Sequence, residues 1–338
     1  MDVKVSIIIP VYNVASYLDT CLLSCVSQTF HDLEIIVVND GSTDESPHII
    51  KKYAEKDSRI RVITKENQGL VYARKSGLDI ARGEYVFHLD GDDYLETNAI
   101  EELYNAIVKS GSDYVECNFY YVTEDNGYIF KEKVKSNSEL DGLYGQELLY
   151  CILHHKKWFI WGKLMRKSLF DDIIYHPISI GEDLFFNMQI CLKVKKTIVI
   201  DIRLYNYVSR SGSITNQDAK KVRMLKLDMV KYIYSLLDIY TYNQSIKDEL
   251  YLKFYYFFLN CISHKETEVR TILYDYYWSK EEQKKFLWRK RKDFYFITSV
   301  FFQSPFWASL LANIYLLMVF LRRKYIRYKK RFKYNSKQ

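Results

Sequence analysis

Through the first 110 residues, short β-branched runs alternate with amphipathic stretches, the pattern of a parallel sheet joined by crossover helices. The runs VSIIIP (5–10), EIIVVND (34–40), IRVIT (60–64) and EYVFHLD (84–90) predict strands, and 16–27, 44–56, 69–81 and 97–109 predict the helices between and after them. Ser42 or Asp44 is placed to cap the second helix, where a short side-chain oxygen accepts from orphan N–H groups. Ligands of such sheets bind outside the carboxyl ends of the strands. Here those ends read PVYN, NDGSTD and DGDD, and all three are polar.

Residues 111–145 alternate aromatic and polar positions around EDNG, which predicts a hairpin on the sheet's edge, with a helical stretch after it. GEDLFFNMQICLKV (181–194) reads as another helix. Gly181 precedes it, and Glu182 and Asp183 stand in its first turn, where the positive end of the helix dipole favours anions. From about 218 onward the pattern is helical and Tyr-rich, without a solenoid-type repeat.

The chain has 338 residues, 48% of them hydrophobic, enough for one large or two ordinary domains and unlike a disordered or fibrous composition. Six scattered cysteines form no CxxC pair, and no charged-then-apolar leader opens MDVKVSIIIP, so the expectation is a reducing, cytoplasmic setting with ordinary buried thiols. The net charge of +7 hides an asymmetry: residues 284–338 hold 15 Lys or Arg against the single acid Asp293, which leaves −7 on the first 283 residues. A basic tail on an acidic body implies chemistry in the body and attraction to an anionic surface in the tail. Residues 294–321 are long enough to span a bilayer, but both flanks are strongly basic and Pro305 divides the stretch. The expectation is therefore an interfacial or re-entrant segment on anionic lipid, with a soluble helix pair packed on the body as the alternative. No nucleic-acid-binding module accompanies the basic residues.

No GxGxxG follows the first strand and no GxxxxGK[ST] occurs, so the two familiar backbone cradles for phosphate are missing. Asp90-Gly91-Asp92 offers another way to manage diphosphate charge. Two carboxylates on a strand-end turn give hard oxygen ligands to Mg²⁺ or Mn²⁺, and diphosphate oxygens and water complete the shell. The plainer alternative is an acidic turn with Asp93 or Thr97 capping the next helix. Asp40, at the end of the second strand, can accept the N3–H of uracil while Tyr12 packs against the base. Here too a simple turn through Asn39, Asp40 and Gly41 is the alternative.

The segments SIIIPVYNVASYLDTCLLSCVSQTFHDLEIIVVNDGSTDES and NQGLVYARKSGLDIARGEYVFHLDGDD, with sparser matches at WGKLMRKSLF (161–170) and GEDLFF (181–186), closely resemble family 2 glycosyltransferases. That resemblance implies the GT-A fold, an α/β architecture with a mostly parallel twisted sheet, and a catalytic domain over 1–217, with a donor half to about 110 and an acceptor half beyond. The helical pattern and basic charge then give a helical, Tyr-rich region over 218–338 with a basic, membrane-associating C-terminus. By resemblance, Asp40 binds uracil, Asp92 is the main metal ligand and Asp90 contacts ribose or metal. Pro10, Tyr12, Asn13, Ser42, Asn67, Gly69, Arg74 and Gly91 would lie along the donor site, with Arg74 alternatively a surface residue of its helix. Asp183 corresponds to the catalytic base of an inverting transfer that needs Mn²⁺ or Mg²⁺. Trp161, Lys163 and Glu182 would line the acceptor side, with His154 and His155 nearby. Arg210 and Ser213 belong to a stretch that resembles the family's region closing over the diphosphate. Trp161 has a core residue as its alternative reading.

The expected reaction moves a hexose or N-acetylhexosamine from a UDP-sugar to a hydroxyl of a glycan. The acceptor would be carried on polyprenyl diphosphate at the inner face of the plasma membrane, in bacterial surface-polysaccharide synthesis. A nucleotide-sugar hydrolase or nucleotidyltransferase, and a catalytically idle membrane scaffold, are the competing classes.

Overall fold

A computed structural model of the chain describes residues 2–125, 128–134, 138–209 and 219–263, together with Ala308, Leu311, Ala312 and Tyr315. The first four predicted strands form within two residues of expectation: β1 (Val5–Val11), β2 (Leu33–Asn39), β3 (Ile60–Thr64) and β4 (Tyr85–His88). The helices α1 (Ala15–Val26), α2 (Ser46–Ala54), α3 (Leu70–Ile80) and α4 (Ala99–Ser110) connect or follow them, and the short β5 (Tyr94–Leu95) precedes α4. Every residue of β1 and β2 is buried, as expected for strands covered by helices on both faces.

The sheet has nine strands in the order β3-β2-β1-β4-β8-β6-β9-β5, with β7 paired to β6. The added strands are β6 (Tyr114–Asp125), β7 (Tyr128–Lys133), β8 (Lys163–Arg166) and β9 (Thr197–Val208). β1 pairs in parallel with both β2 and β4, and β6 pairs in parallel with β9, while β8 runs antiparallel to its neighbours β4 and β6. The predicted hairpin is β6–β7. Only β7 stands at the margin, because the first part of β6 is flanked by β8 on one side and β9 on the other. A long strand can serve two neighbours on one side in succession, and β7 takes up the ladder where β8 has ended.

The chain winds from β1 through β2 to β3 on one side and then crosses to place β4 on β1's other side. The order thus reverses between β1 and β4, and the crevice at such a reversal is where open α/β sheets take ligands. A core of Val5, Ile7, Ile9, Ile35, Val37 and Phe87 closes one face of the sheet against α1 and α4 residues such as Leu18, Leu22, Leu103 and Ile107. On the other face Gly77 of α3 lies flush on Ile8, and a Cβ at 77 would come within 2.5 Å of Ile8 Cγ2.

Beyond the hairpin come α5 (Gly145–His155), α6 (Glu182–Ile190), α7 (Ala219–Ile239) and α8 (Gln244–Ser263). Two compact units divide at Ile246 and Lys247. The boundary expected after 217 falls before α7, which belongs to the first unit; His176, in the segment before α6, stacks on Tyr232 of α7 with centroids 4.2 Å apart. In the second unit, Phe258, Leu259 and Ile262 of α8 are buried.

Candidate active site

The three polar strand ends meet at the β1–β4 reversal and are stitched to one another. Asn13, in the left-handed region at φ 51°, donates its backbone N–H to Ser42 Oγ (3.1 Å), and its side-chain oxygen accepts from Thr43 N–H (2.8 Å). Asp44 joins the starts of α1 and α2, accepting from Ala15 N–H at 2.9 Å and from Ser46 N–H at 3.0 Å. The capping oxygen expected there is thus Asp44, with Ser42 committed to the β1 loop instead. Pro10 is buried in β1, whereas Tyr12 is 50% exposed at the open edge.

Asp40 is buried and accepts from the backbone N–H groups of Gly69 (2.8 Å) and Gln68 (3.1 Å), with Lys65 Nζ 3.6 Å away. One carboxylate therefore closes the turn after β2 and satisfies donors at the head of α3. Gly41 makes this approach possible: its φ is +76°, and a Cβ there would sit 2.8 Å from Asn67 N. Asn67 itself is exposed on the facing loop.

After β4 the chain turns through Asp90, Gly91, Asp92 and Asp93, and the three acids have separate environments. Asp93 is buried, accepting from the Tyr205 hydroxyl at 2.5 Å and from Val208 N–H at 2.7 Å. Burial, reinforced by the charges of Asp92 and Asp90, pushes its carboxyl well above the usual range. Asp93 thus faces inward as a structural acid, while Asp90 and Asp92 remain partly exposed. Gly91 lets the turn lie against β1, since a Cβ would stand 3.0 Å from the Pro10 carbonyl oxygen. No group of three or more His, Cys, Asp or Glu side chains among the described residues could hold a metal ion unaided. Asp90 and Asp92 nevertheless fit Mg²⁺ or Mn²⁺ as a partial shell of hard oxygens, because these ions keep water and phosphate ligands beside one or two carboxylates.

Arg74 draws the site together. Its side chain is 1% exposed, which removes the surface-residue alternative. Nη1 donates to Asp183 Oδ1 at 2.8 Å and, at 3.4 Å, to Glu182 Oε1, and Nη2 donates to Asp90 Oδ1 at 2.9 Å. Asp183 and Glu182 stand in the first turn of α6, as the sequence predicted, after Gly181 in the left-handed conformation. Burial raises the Asp183 carboxyl, Arg74 pulls it back down and the Asp90 charge lifts it again. Glu182 is pushed up to about 8, first by burial and then by the neighbouring Asp183 charge.

The acceptor-side candidates fare differently. Trp161 is 7% exposed in a near-parallel stack, 4.1 Å from Phe159 and 4.5 Å from Tyr205, so the core use is the one displayed. Lys163 is fully buried, 3.4 Å from Glu116, and donates to the Phe159 carbonyl at 2.5 Å. It is a core cation whose ammonium burial pulls down, and Glu116 partly restores it. His154 and His155 are exposed at the end of α5. Arg210 and Ser213 lie outside the described residues.

Sequence reasoning missed Tyr205, whose hydroxyl holds Asp93 and accepts from Asp90 N–H at 3.4 Å. The signal was present in the period-two alternation of TIVIDIRLYNYV, which forms β9. His88 was also passed over, although it is buried on β4 below the DGD turn.

The family model described as "Glycosyl transferase family 2" matches residues 6–173. The chain is 34% identical over 270 residues to the cholesterol galactosyltransferase of Borreliella burgdorferi, covering 75% of this chain and 74% of that protein. It is 38% identical over 222 residues to glycosyltransferase GlyA of Streptococcus pneumoniae, covering 64% of this chain but only 32% of that protein, so it spans about a third of GlyA's length. Among solved structures, S. aureus TarS 1-349 in complex with UDP-GlcNAc superposes with TM-score 0.65 at 21% identity, over 89% of this chain and 91% of that one. With the sheet order and the site geometry, these matches show that the chain belongs to the family 2 glycosyltransferases and carries their GT-A fold.

Proposed function

We propose that this protein transfers a hexose or N-acetylhexosamine from a UDP-sugar to a glycan hydroxyl with inversion, forming a β-linkage. The observation that carries the reading is the Arg74 guanidinium, which is hydrogen-bonded at once to Asp183 and to Asp90 of the DGD turn. An acceptor-activating base and a leaving-group site must stand on opposite sides of one anomeric carbon, and a shared arginine sets them that close.

In this reading Asp183 takes the acceptor hydroxyl proton as its oxygen bonds to the anomeric carbon and the bond from that carbon to the UDP oxygen breaks. One displacement completes the transfer, so a single base suffices and no covalent sugar intermediate is required. Arg74 engages Asp183 Oδ1, which leaves Oδ2 to receive the proton. The partly buried setting that raises the Asp183 carboxyl makes it a stronger base than a solvated aspartate, and Arg74 keeps it ionised. Asp90 and Asp92 would hold Mn²⁺ or Mg²⁺, which supplies positive charge against the departing diphosphate. Asp40 and Tyr12, at the edge of the same crevice, would receive the uracil. The likeness to TarS, solved with UDP-GlcNAc, supports a nucleotide-sugar donor, and the basic tail supports a lipid-linked acceptor at a membrane surface.

Calorimetric titration of the protein with UDP, in Mn²⁺ and again in EDTA, tests the donor half. Metal-dependent binding that is weakened in Asp92→Asn is expected, and equal binding in EDTA would remove the DGD turn from that role. Asp183→Asn should bind UDP like the wild type while losing at least ~100-fold in turnover.

A further inference from the structure

We propose that Arg74 is the positioning residue of this site: a buried strut that fixes the base Asp183 against the donor-side carboxylate Asp90, seated from beneath by His88. The inference deepens the proposed function and rests on it.

Three observations distinguish a strut from a donor ligand. First, the guanidinium is 1% exposed, and both terminal nitrogens are committed to carboxylates at 2.8 to 3.4 Å. An arginine that met a diphosphate would have to turn its fork into the crevice and release those partners. Second, its helix is anchored at both ends. The head of α3 is tied to Asp40 through Gly69 N–H and Gln68 N–H, and Gly77 lies flush on Ile8 with no room for a Cβ. Third, Asp90 and Asp183 come from the turn after β4 and from α6, which are far apart in sequence, and this one side chain bonds to both.

The seat is inferred from unmatched polar atoms. Arg74 Nε is buried without a hydrogen-bond partner, and so are both ring nitrogens of His88. His88 pairs in register with Ile8, the residue on which α3 rests, so it lies on the sheet face beneath that helix. An imidazole nitrogen can accept and Nε–H can donate, so one buried water between them would pair the two unmatched sites and restrain the rotation of the guanidinium about its stem.

The test is a separation of turnover from donor affinity. UDP release from UDP-hexoses and UDP-N-acetylhexosamines, with water as acceptor, gives kcat, and calorimetry with UDP in Mn²⁺ and in EDTA gives affinity. Arg74→Lys keeps the charge but loses the fork. It should lower kcat by ~100-fold, the order that a misplacement of about 1 Å brings, and leave UDP affinity within about threefold. His88→Leu touches none of the carboxylates and should show the same split with a smaller loss, about tenfold. It serves as the second probe if Arg74→Lys fails to fold, as judged by thermal melting. Full kcat in Arg74→Lys, or a tenfold loss of UDP affinity with kcat kept, overturns the strut. Wild-type kcat in His88→Leu overturns the seat. Asp183→Asn separates the two levels: if it retains turnover, or if the wild type binds no UDP with Mn²⁺ or with EDTA, the proposed function itself fails.

Discussion

Lys163 and Glu116 are both inaccessible to solvent, 3.4 Å apart. Removing one partner strands the other's charge in the core, so Lys163→Met should destabilise the fold by about 3–5 kcal/mol in urea unfolding. Adding Glu116→Leu should recover most of that loss. A single variant as stable as the double would contradict the pairing. Glu182 carries a pH signature. Its carboxyl is lifted from 4.5 to about 8, chiefly by burial, so the fold binds a proton that the unfolded chain has released over most of that interval. Its stabilising contribution is complete below about 4.5 and is lost as pH rises through about 8, with a slope no steeper than about 1.4 kcal/mol per pH unit. Unfolding midpoints of the wild type should therefore fall relative to Glu182→Gln between pH 5 and 8, and parallel curves would rule the shift out. The individual acids were readable as acids in the sequence. Which of them stays ionised was not, because burial and the shared Arg74 set that.

Among the elements, the first four strands and helices follow from periodicity because each is a local decision. A β-branched run with no polar face is stable only as a covered strand, and an amphipathic run of a dozen residues only as a helix. β8 has four residues and neither it nor β9 was assigned from the sequence, and both owe their place to partners distant in sequence. The turn after β2 is where an element depends on one atom. Gly41→Ala brings a Cβ to 2.8 Å from Asn67 N at a backbone φ of +76°. The expected outcome is a loss of about 1–3 kcal/mol in urea unfolding and weaker UDP binding by calorimetry. Unchanged UDP affinity would detach this turn from the donor site.

For the molecule as a whole, the acidic body and basic tail remain the strongest statement about where it works. No helix among the described residues is long and apolar enough to cross a membrane, and the apolar stretch 294–321 lies almost wholly outside them. Surface attachment predicts that the full chain floats with vesicles containing phosphatidylglycerol, stays behind with phosphatidylcholine alone, and is released by about 0.5 M salt, where the screening length shrinks to a few ångströms. Equal flotation on both vesicles would leave the charge without a role. The sequence by itself determined the strand–helix alternation, the polar strand ends, the DGD turn and the acids opening α6, since spacing and residue type along the chain fix these. Only the tertiary structure decided that Arg74 is a buried bridge, that Asp93 turns inward to Tyr205, and that Trp161 and Lys163 belong to the core. The physical reason is that desolvation and charge pairing depend on which distant segments close over a side chain, and no local pattern records that.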